Sequence, residues 1–181
     1  MAILRRSDQK RTSNRPGASS YRLAGPETGS QMLTISDITL EPGAEIAYHS
    51  HPNSEASHYV VDGTLECLLD GKRMTTSEGD LALAPTGVGH GFANRSDRPA
   101  RFIAMMPSTE PGREQEDDSH VRDVAGPDDL PAGAALRSRV QAWTPWEGCL
   151  RYDMATADFG STSTAFSELI FNPGAVAPPH Y

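Results

Sequence analysis

Apolar and polar residues alternate along most of the central part of the chain, which is the period of a β-strand with one buried face. The segment 64–69 shows the alternation clearly, since Leu65, Cys67 and Leu69 fall on one face. Asp70-Gly71 follows it, a pair typical of a tight hairpin turn. The predicted strands are 32–40, 46–51, 57–61, 64–69, 72–76, 81–84, 90–93 and 101–106. About eight short strands with little helical period predict an all-β antiparallel barrel.

The regions on either side of this barrel differ from it in composition. The predicted organisation is a basic arm at 1–19, the barrel at 20–107, an acidic, proline-rich linker at 108–135, and extra C-terminal strands at 136–181. The apolar segments of the last region are 136–140, 149–154 and 166–171. They are too few to enclose a second barrel, and exposed strands promote aggregation. We therefore expect them to extend the sheets of the barrel or to pair with another subunit.

Composition narrows the class of protein. The chain has 181 residues, which suits one domain with a hydrophobic core. Its net charge of −8 argues against a nucleic-acid partner. No apolar run reaches membrane-spanning length, the N-terminus lacks the apolar core of a signal peptide, and Cys67 and Cys149 show no CxxC spacing. These features predict a cytoplasmic protein with no membrane partner.

Three histidines are spaced so that they can meet at one point inside such a barrel. His49 and His51 are two residues apart, so their side chains point to the same face of one strand. His90 follows the turn-forming Pro85-Thr86-Gly87 and can reach that face from a neighbouring strand. Three converging imidazoles suit Zn, Fe, Ni or Cu. The sequence therefore predicts a divalent transition-metal site at His49, His51 and His90.

Two spaced motifs carry a resemblance to a known family. The first motif is Gly43-(x5)-His49-x-His51 with a closing Gly63, and the second is Gly79-(x5)-Pro85-x-Gly87-x-x-His90-(x3)-Asn94. Together they resemble the paired motifs of the cupin superfamily. The resemblance implies a cupin-type jelly-roll barrel that binds a metal and a small organic substrate in its interior. It leaves the reaction open, because cupins include dioxygenases, cyclases, isomerases, decarboxylases, lyases and sensor domains.

The first motif departs from the family pattern where a metal-binding glutamate is expected. That position, seven residues before Gly63, is Ala56. The alternatives are a three-histidine centre, a four-nitrogen centre in which His58 replaces the carboxylate, or a bulge that turns Glu55 inward. We prefer the first two, because Glu55 is one residue out of phase and His58 shares the inward face. His58 is also the predicted catalytic residue, since acid–base chemistry needs a titrating group beside the substrate.

The C-terminal region repeats the beginning of the barrel. Pro42-Gly43-Ala44 recurs as Pro173-Gly174-Ala175, and His180 follows Gly174 at the spacing that separates His49 from Gly43. This repeat resembles the opening of the second domain of a bicupin, cut off inside its first motif. Because the C-terminal strands need partners, we expect a homodimer, with strand exchange as one way to build it. Trp143 and Trp146 are predicted to anchor that contact, and His180 to be exposed.

The resemblance favours a metal-dependent enzyme acting on a small organic molecule. The preferred interpretation is a three-histidine, dioxygenase-like oxidoreductase, with Fe(II) as the first candidate metal and Zn, Mn or Ni after it. The alternatives are a Zn- or Mn-dependent cyclase, isomerase or lyase, similar to cupin-type polyketide cyclases, and a non-catalytic ligand-binding cupin. Strand alternation predicts pocket walls at Ala47, His58, Val60, Phe92 and Phe102 or Met106, with Tyr48 and Tyr59 pointing away from the histidines.

Overall fold

The computed structural model describes residues 5–12 and 15–179, and in this part of the chain it contains strands and short 3₁₀ turns but no α-helix. The strands are β1 (Arg11–Thr12), β2 (Ala18–Ala24), β3 (Thr34–Leu40), β4 (Glu45–Ser50), β5 (Ala56–Asp62), β6 (Thr64–Leu69), β7 (Lys72–Ser77), β8 (Leu81–Ala84), β9 (His90–Ala93), β10 (Ala100–Met106), β11 (Glu114–Gln115), β12 (Arg122–Asp123), β13 (Ala134–Ala135), β14 (Cys149–Ala155) and β15 (Phe166–Phe171). The 3₁₀ turns are Arg6–Asp8, Pro26–Thr28, Pro127–Asp129 and Ala157–Phe159. None of the described helices has the length and apolar character needed to span a membrane.

Two sheets form the barrel. One has the strand order β1-β2-β3-β10-β5-β8-β13, and the other has the order β11-β4-β9-β6-β7-β12. Every described pairing in them is antiparallel except that of β12 with β7. Strands distant in sequence are interleaved, with β10 between β3 and β5 and β9 between β4 and β6. This arrangement confirms the predicted all-β, cupin-type antiparallel jelly roll.

The hydrophobic core lies between the two sheets and follows the alternation of the sequence. Leu65, Cys67 and Leu69 of β6 are almost completely buried, whereas the residues between them are partly exposed. Phe92 and Phe102 meet from opposite sheets, with 5.2 Å between their ring centroids. Each side chain of this size contributes roughly 1.5–3 kcal/mol when buried, so the core holds the two sheets firmly around the space between them.

The segment 108–135, predicted to be a linker, lies along the barrel in the structure. Within it β11 pairs with β4, β12 pairs with β7, and β13 pairs with β8. Each of these strands is only two residues long. A strand this short carries no detectable alternation, which is why the acidic and proline-rich composition dominated the prediction.

Two other boundaries also differ from the prediction. The strand β2 begins at Ala18 and pairs with β1, so part of the predicted arm at 1–19 belongs to the first sheet. The segment 136–140, predicted to be a strand, is a turn in which Val140 N donates to Leu136 O at 3.1 Å. The two apolar residues are four positions apart, a spacing that fits one helical turn as well as it fits a strand.

The strands β14 and β15 form a separate two-stranded hairpin that packs on the outside of the barrel. Met154 is buried against Leu81 and Leu83 of β8. Phe166 packs on Tyr59, with 5.1 Å between the ring centroids. The predicted C-terminal strands at 149–154 and 166–171 therefore contact the barrel without joining its sheets.

The outer part of this hairpin keeps apolar side chains at the surface. Leu169, Ile170 and Phe171 are 38–43% exposed. Trp146 stacks on Phe171 with 6.5 Å between ring centroids, and Trp143 donates its indole N–H to a carboxylate of β14. Both tryptophans thus contact the hairpin of their own chain. The homodimer, and strand exchange within it, stays a prediction.

The hairpin β14–β15 has the same local geometry as β2–β3. Each contains a 3₁₀ turn followed by a glycine with positive φ, 87° at Gly29 and 88° at Gly160. The matching backbone hydrogen bonds are Glu41 N to Gly17 O and Asn172 N to Gly148 O, each 2.8 Å long. The sequence repeat is therefore also a structural repeat. Its interpretation as the opening of a second cupin domain stays a prediction, and His180 lies outside the described residues.

Glu55 connects the barrel to the hairpin. Its side chain is 2% exposed, and its carboxylate accepts hydrogen bonds from the loop 161–164. The donors are Ser161 Oγ (2.7 Å), Thr162 N (2.8 Å), Thr162 Oγ1 (3.1 Å), Ser163 N (3.2 Å) and Thr164 Oγ1 (2.5 Å). Burial alone would raise the pKa of Glu55, but these hydrogen bonds outweigh it and lower the pKa below its usual value. Glu55 is therefore a buried anion that fixes the hairpin.

We predict that Glu55→Gln releases the hairpin, because the amide cannot replace the charge that the loop donors surround. The expected loss is about 2–3 kcal/mol in the free energy of unfolding, measured by urea denaturation at pH 7. Since the pKa of Glu55 is depressed in the folded state, its stabilising contribution is present above pH 4.3 (roughly the unfolded pKa) and disappears in stronger acid. The difference between parent and variant should shrink accordingly.

The matched control is Glu41→Gln, which neutralises an exposed carboxylate on the same chain. Hydrogen exchange of the amides at 161–164 gives a local readout, and it should accelerate in the Glu55 variant alone. Equal stability of the two variants at pH 7 would show that Glu55 does not hold the hairpin.

Candidate metal centre

A cavity of about 420 Å³ lies between the two sheets of the barrel. Its apolar lining includes Ile38, Ile46, Phe92, Phe102, Ala104 and Met106. Three histidines (His49, His51 and His58) and three arginines (Arg15, Arg22 and Arg113) also line it. Its volume and mixed lining are those of a small-molecule site.

His49, His51 and His90 converge beside this cavity, which His49 and His51 line. One ligand atom from each of them lies within 4.8 Å of the others, and all three residues are buried. The ring centroids are 5.0 Å apart for His49 and His51, 4.3 Å for His49 and His90, and 5.2 Å for His51 and His90. The strands β4 and β9 are adjacent in the sheet, and His49 is the register partner of His90, which explains why the rings meet.

Backbone carbonyl groups fix the orientation of all three rings. The bonds run from His49 Nδ1 to Ala47 O (2.8 Å), from His51 Nδ1 to Gly112 O (2.5 Å) and from His90 Nδ1 to Val88 O (3.1 Å). A carbonyl oxygen can only accept, so each Nδ1 carries the proton and each Nε2 keeps a lone pair. In the described part of the chain, His90 Nε2 is buried with no hydrogen-bond partner. An unpartnered buried nitrogen is costly, and a metal ion would satisfy it, so these residues fit a metal site.

The surroundings also keep the imidazoles neutral, which metal binding requires. Burial lowers the pKa of His49 to about 2 and that of His90 to about 4, and it lowers the pKa of His51 as well. The positive charge of Arg113 adds to the effect at all three.

A bulge in β4 decides which of its residues face the cavity. Ile46 pairs with Phe92 and His49 pairs with His90, so β4 has one more residue in this stretch than β9 has. Ile46 and His49 therefore share the inward face, and Ala47 is exposed. The prediction of Ala47 as a wall residue was wrong for this reason.

The other predicted wall residues divide in two. His58, Phe92, Phe102 and Met106 line the cavity. Val60 is buried in the hydrophobic core and does not line the cavity.

The two tyrosines point away from the histidines, as predicted. Tyr48 donates nothing to the cavity, since its hydroxyl accepts from Gly71 N at 3.0 Å and its ring contacts His120. Tyr59 packs under the C-terminal hairpin. Neither phenol is available to the chemistry of the cavity.

His58 lies beside the three histidines but outside the cluster whose ligand atoms converge. Its ring centroid is 5.0 Å from that of His90 and 4.6 Å from that of Phe92. Its Nδ1 has no hydrogen-bond partner among the described residues, and burial lowers its pKa well below the usual value. The imidazole is therefore neutral, and its unpartnered Nδ1 is the atom available for a hydrogen bond or a proton transfer with a molecule in the cavity.

Glu55 does not turn inward. Its carboxylate is occupied by the loop 161–164 on the outside of the barrel, so the alternative that made Glu55 a metal ligand was wrong. Ala56 is buried and offers no ligand atom. Among the described residues no carboxylate joins the three converging histidines.

Residues 110–116, here called the strap, contribute groups that sequence reasoning missed. Gly112 O holds the ring of His51, and Arg113 lines the cavity. Glu116 accepts a hydrogen bond from Ser50 Oγ at 2.6 Å, which fastens the strap to β4. The sequence predicted a linker here and gave no sign of these roles. Only the pairing of the strap with β4 brings its residues to the metal centre.

The comparisons with known proteins agree with this geometry. Residues 36–106 match the family described as Cupin domain. The tetracenomycin polyketide synthase protein TcmJ of Streptomyces glaucescens is 27% identical over 95 residues, which cover 52% of this chain and 64% of the relative. The polyketide synthase CurC of Streptomyces cyaneus is 38% identical over 64 residues, covering 35% and 42%. The chain thus spans less than two thirds of the length of these relatives.

A solved structure agrees with the fold. The polyketide cyclase RemF from Streptomyces resistomycificus superposes with a TM-score of 0.59 at 19% sequence identity. The superposition covers 67% of this chain and 99% of that protein. Family match, fold and converging histidines lead to one conclusion. Residues 36–106 match the Cupin domain family, and the barrel has the cupin-type jelly-roll fold with a three-histidine group that could hold a metal ion.

Proposed function

We propose that this protein is a metal-dependent cyclase that closes a ring in a small organic substrate carrying several carbonyl groups. The observation that carries the proposal is the set of three converging histidines, each with an Nε2 lone pair free of hydrogen bonds to the Nδ1 acceptors, beside a cavity of mixed polar and apolar lining that also includes His58. The names of TcmJ, CurC and RemF, all polyketide proteins, support the cyclase alternative over the dioxygenase interpretation.

The proposed ligands are His49, His51 and His90, and the ligand set indicates which metal they hold. Three neutral imidazoles without a carboxylate suit Zn better than Mn, which prefers oxygen ligands. A bound zinc ion supplies a Lewis acid that polarises a carbonyl oxygen. Iron(II) remains compatible with the same imidazoles, so the metal must be measured.

The residues around the cavity supply the rest of the reaction. His58 accepts a proton from a carbon next to one carbonyl group, and that carbon then attacks a distant carbonyl carbon of the same chain, which closes a six-membered ring. His58 returns this proton to the oxygen of the attacked carbonyl, which becomes a hydroxyl group. The hydroxyl then leaves as water with a second proton taken from the carbon that attacked, and a carbon–carbon double bond forms in the ring. No oxidant is needed. Phe92, Phe102 and Ile38 exclude water and favour the folded form of a flexible chain.

We predict that metal binding depends on the three converging histidines and not on His58. The purified protein should contain close to one equivalent of metal by elemental analysis, and His49→Ala, His51→Ala and His90→Ala should each lose most of it. His58→Phe should keep the metal, because His58 lies outside the converging cluster and its neighbours are aromatic. His120→Ala is the matched control.

Loss of metal in His58→Phe would show instead that His58 is a fourth ligand, which is the four-nitrogen alternative. Retention of metal by all the histidine variants would place the metal elsewhere.

We predict ring closure of heptane-2,4,6-trione to orcinol by the zinc-loaded protein, followed by ultraviolet absorbance and chromatography. This conversion forms one carbon–carbon bond and releases one water. His58→Phe should slow it by about 100-fold or more while metal content stays unchanged, the usual contribution of a general acid–base group.

An oxygen electrode tests the dioxygenase alternative with the same preparations. Oxygen consumption by the iron-loaded protein with acetylacetone, together with no orcinol from the zinc-loaded protein, would replace the cyclase proposal.

A further inference from the structure

The charge of the cavity is opposite to that of the chain as a whole. The protein has 24 acidic and 16 basic residues, for a net charge of −8. The cavity lining nevertheless contains Arg15, Arg22 and Arg113 and no aspartate or glutamate. Their clustering in the cavity therefore needs its own explanation.

Of the three arginines that line the cavity, Arg113 is the best placed to bind a ligand. Within the described residues no carboxylate lies within ion-pairing distance of it, and its Nη2 donates a long hydrogen bond to Ala47 O at 3.4 Å. By contrast Arg22 has Glu27 at 3.8 Å. A guanidinium presents five N–H donors in a fixed fork, so most of the donors of Arg113 are left for a ligand.

The charge of Arg15 acts on Arg113. Arg113 is an exposed residue, but partial burial of its side chain lowers its pKa to about 10, and the positive charge of Arg15 adds to this. Arg113 thus remains charged at neutral pH beside a second positive group. An anion bound by Arg113 would offset this repulsion, and the paired N–H donors of its guanidinium match a carboxylate bidentately.

The strap places Arg113 next to the candidate metal centre. Gly112 O accepts the Nδ1 proton of His51, and the next residue, Arg113, lines the same cavity. A cavity of about 420 Å³ has room for a small organic molecule that reaches both groups. One short segment therefore positions a metal ligand and the nearest unpaired cation together.

We infer that Arg113, assisted by Arg15, binds a carboxylate group of the substrate, so that the natural substrate is an organic acid whose carbonyl groups lie towards the histidines. The inference rests on the proposed function for the identity of the reacting end, but the anion site itself does not require the metal. Arg113 acts as a specificity residue, holding the substrate in one direction in the cavity.

The test compares two probes of matched shape, 2-naphthoate and the neutral 2-naphthamide, by isothermal titration calorimetry at pH 7.5. The parent should bind the anion at least about tenfold more tightly than the amide. Arg113→Gln should abolish this preference without changing amide binding, and Arg113→Lys should restore part of it. Arg98→Gln, which neutralises an exposed arginine outside the cavity, is the matched control and should behave as the parent does.

A second arm separates this inference from the proposed function. In a His49→Ala, His51→Ala double variant, checked for folding by circular dichroism, the naphthoate preference should persist, since a carboxylate bound only by metal would lose it. Failure of the ring-closure assay with a persistent preference would leave the anion site standing and remove the cyclase proposal. Equal binding of the two probes by the parent, no binding of either at about 1 mM, or a preference that survives Arg113→Gln would overturn the inference.

Discussion

The candidate site depends on backbone carbonyl oxygens that accept the Nδ1 protons of the three converging histidines. Each carbonyl comes from a different kind of local structure: Ala47 lies in the bulge of β4, Val88 in the turn before β9, and Gly112 in the strap. These acceptors are main-chain carbonyl groups, which do not titrate. They keep the proton on each Nδ1 and so leave each Nε2 lone pair available to a metal ion. The protonation state of the site is thus a property of the fold.

The same dependence explains how far sequence reasoning could go. The strands and the three histidines follow from alternation and spacing, which are local and periodic. The strap could not be found this way, because its two-residue strand has no period and its role arises from pairing with β4. Ala47 failed for a related reason, since one extra residue in β4 reverses the alternation at that point. No local sequence pattern indicated that Arg113 lies at the cavity.

The first motif shows a similar separation of roles between neighbouring residues. Ala56 leaves the inward face of β5 without a carboxylate, and Glu55, one position earlier, uses its carboxylate outside the barrel. Side chains alternate along a strand, so a shift of one residue places the carboxylate outside the barrel. There it stabilises the fold and does not contact the metal site. Removing the carboxylate from the cavity leaves a lining whose formal charges are all positive, and this favours an anionic ligand.

The C-terminal hairpin influences the site through β5. Its loop at 161–164 fixes Glu55 at the start of that strand, and Met154 covers Leu81 and Leu83 of β8, the neighbour of β5. His58 follows three residues after Glu55, and its ring has no hydrogen-bond partner at Nδ1 in the described structure. The position of this imidazole is therefore set by packing against Phe92 and by the strand that carries it. A hairpin that copies the geometry of β2–β3 thus acts here as a brace for the strand that presents His58.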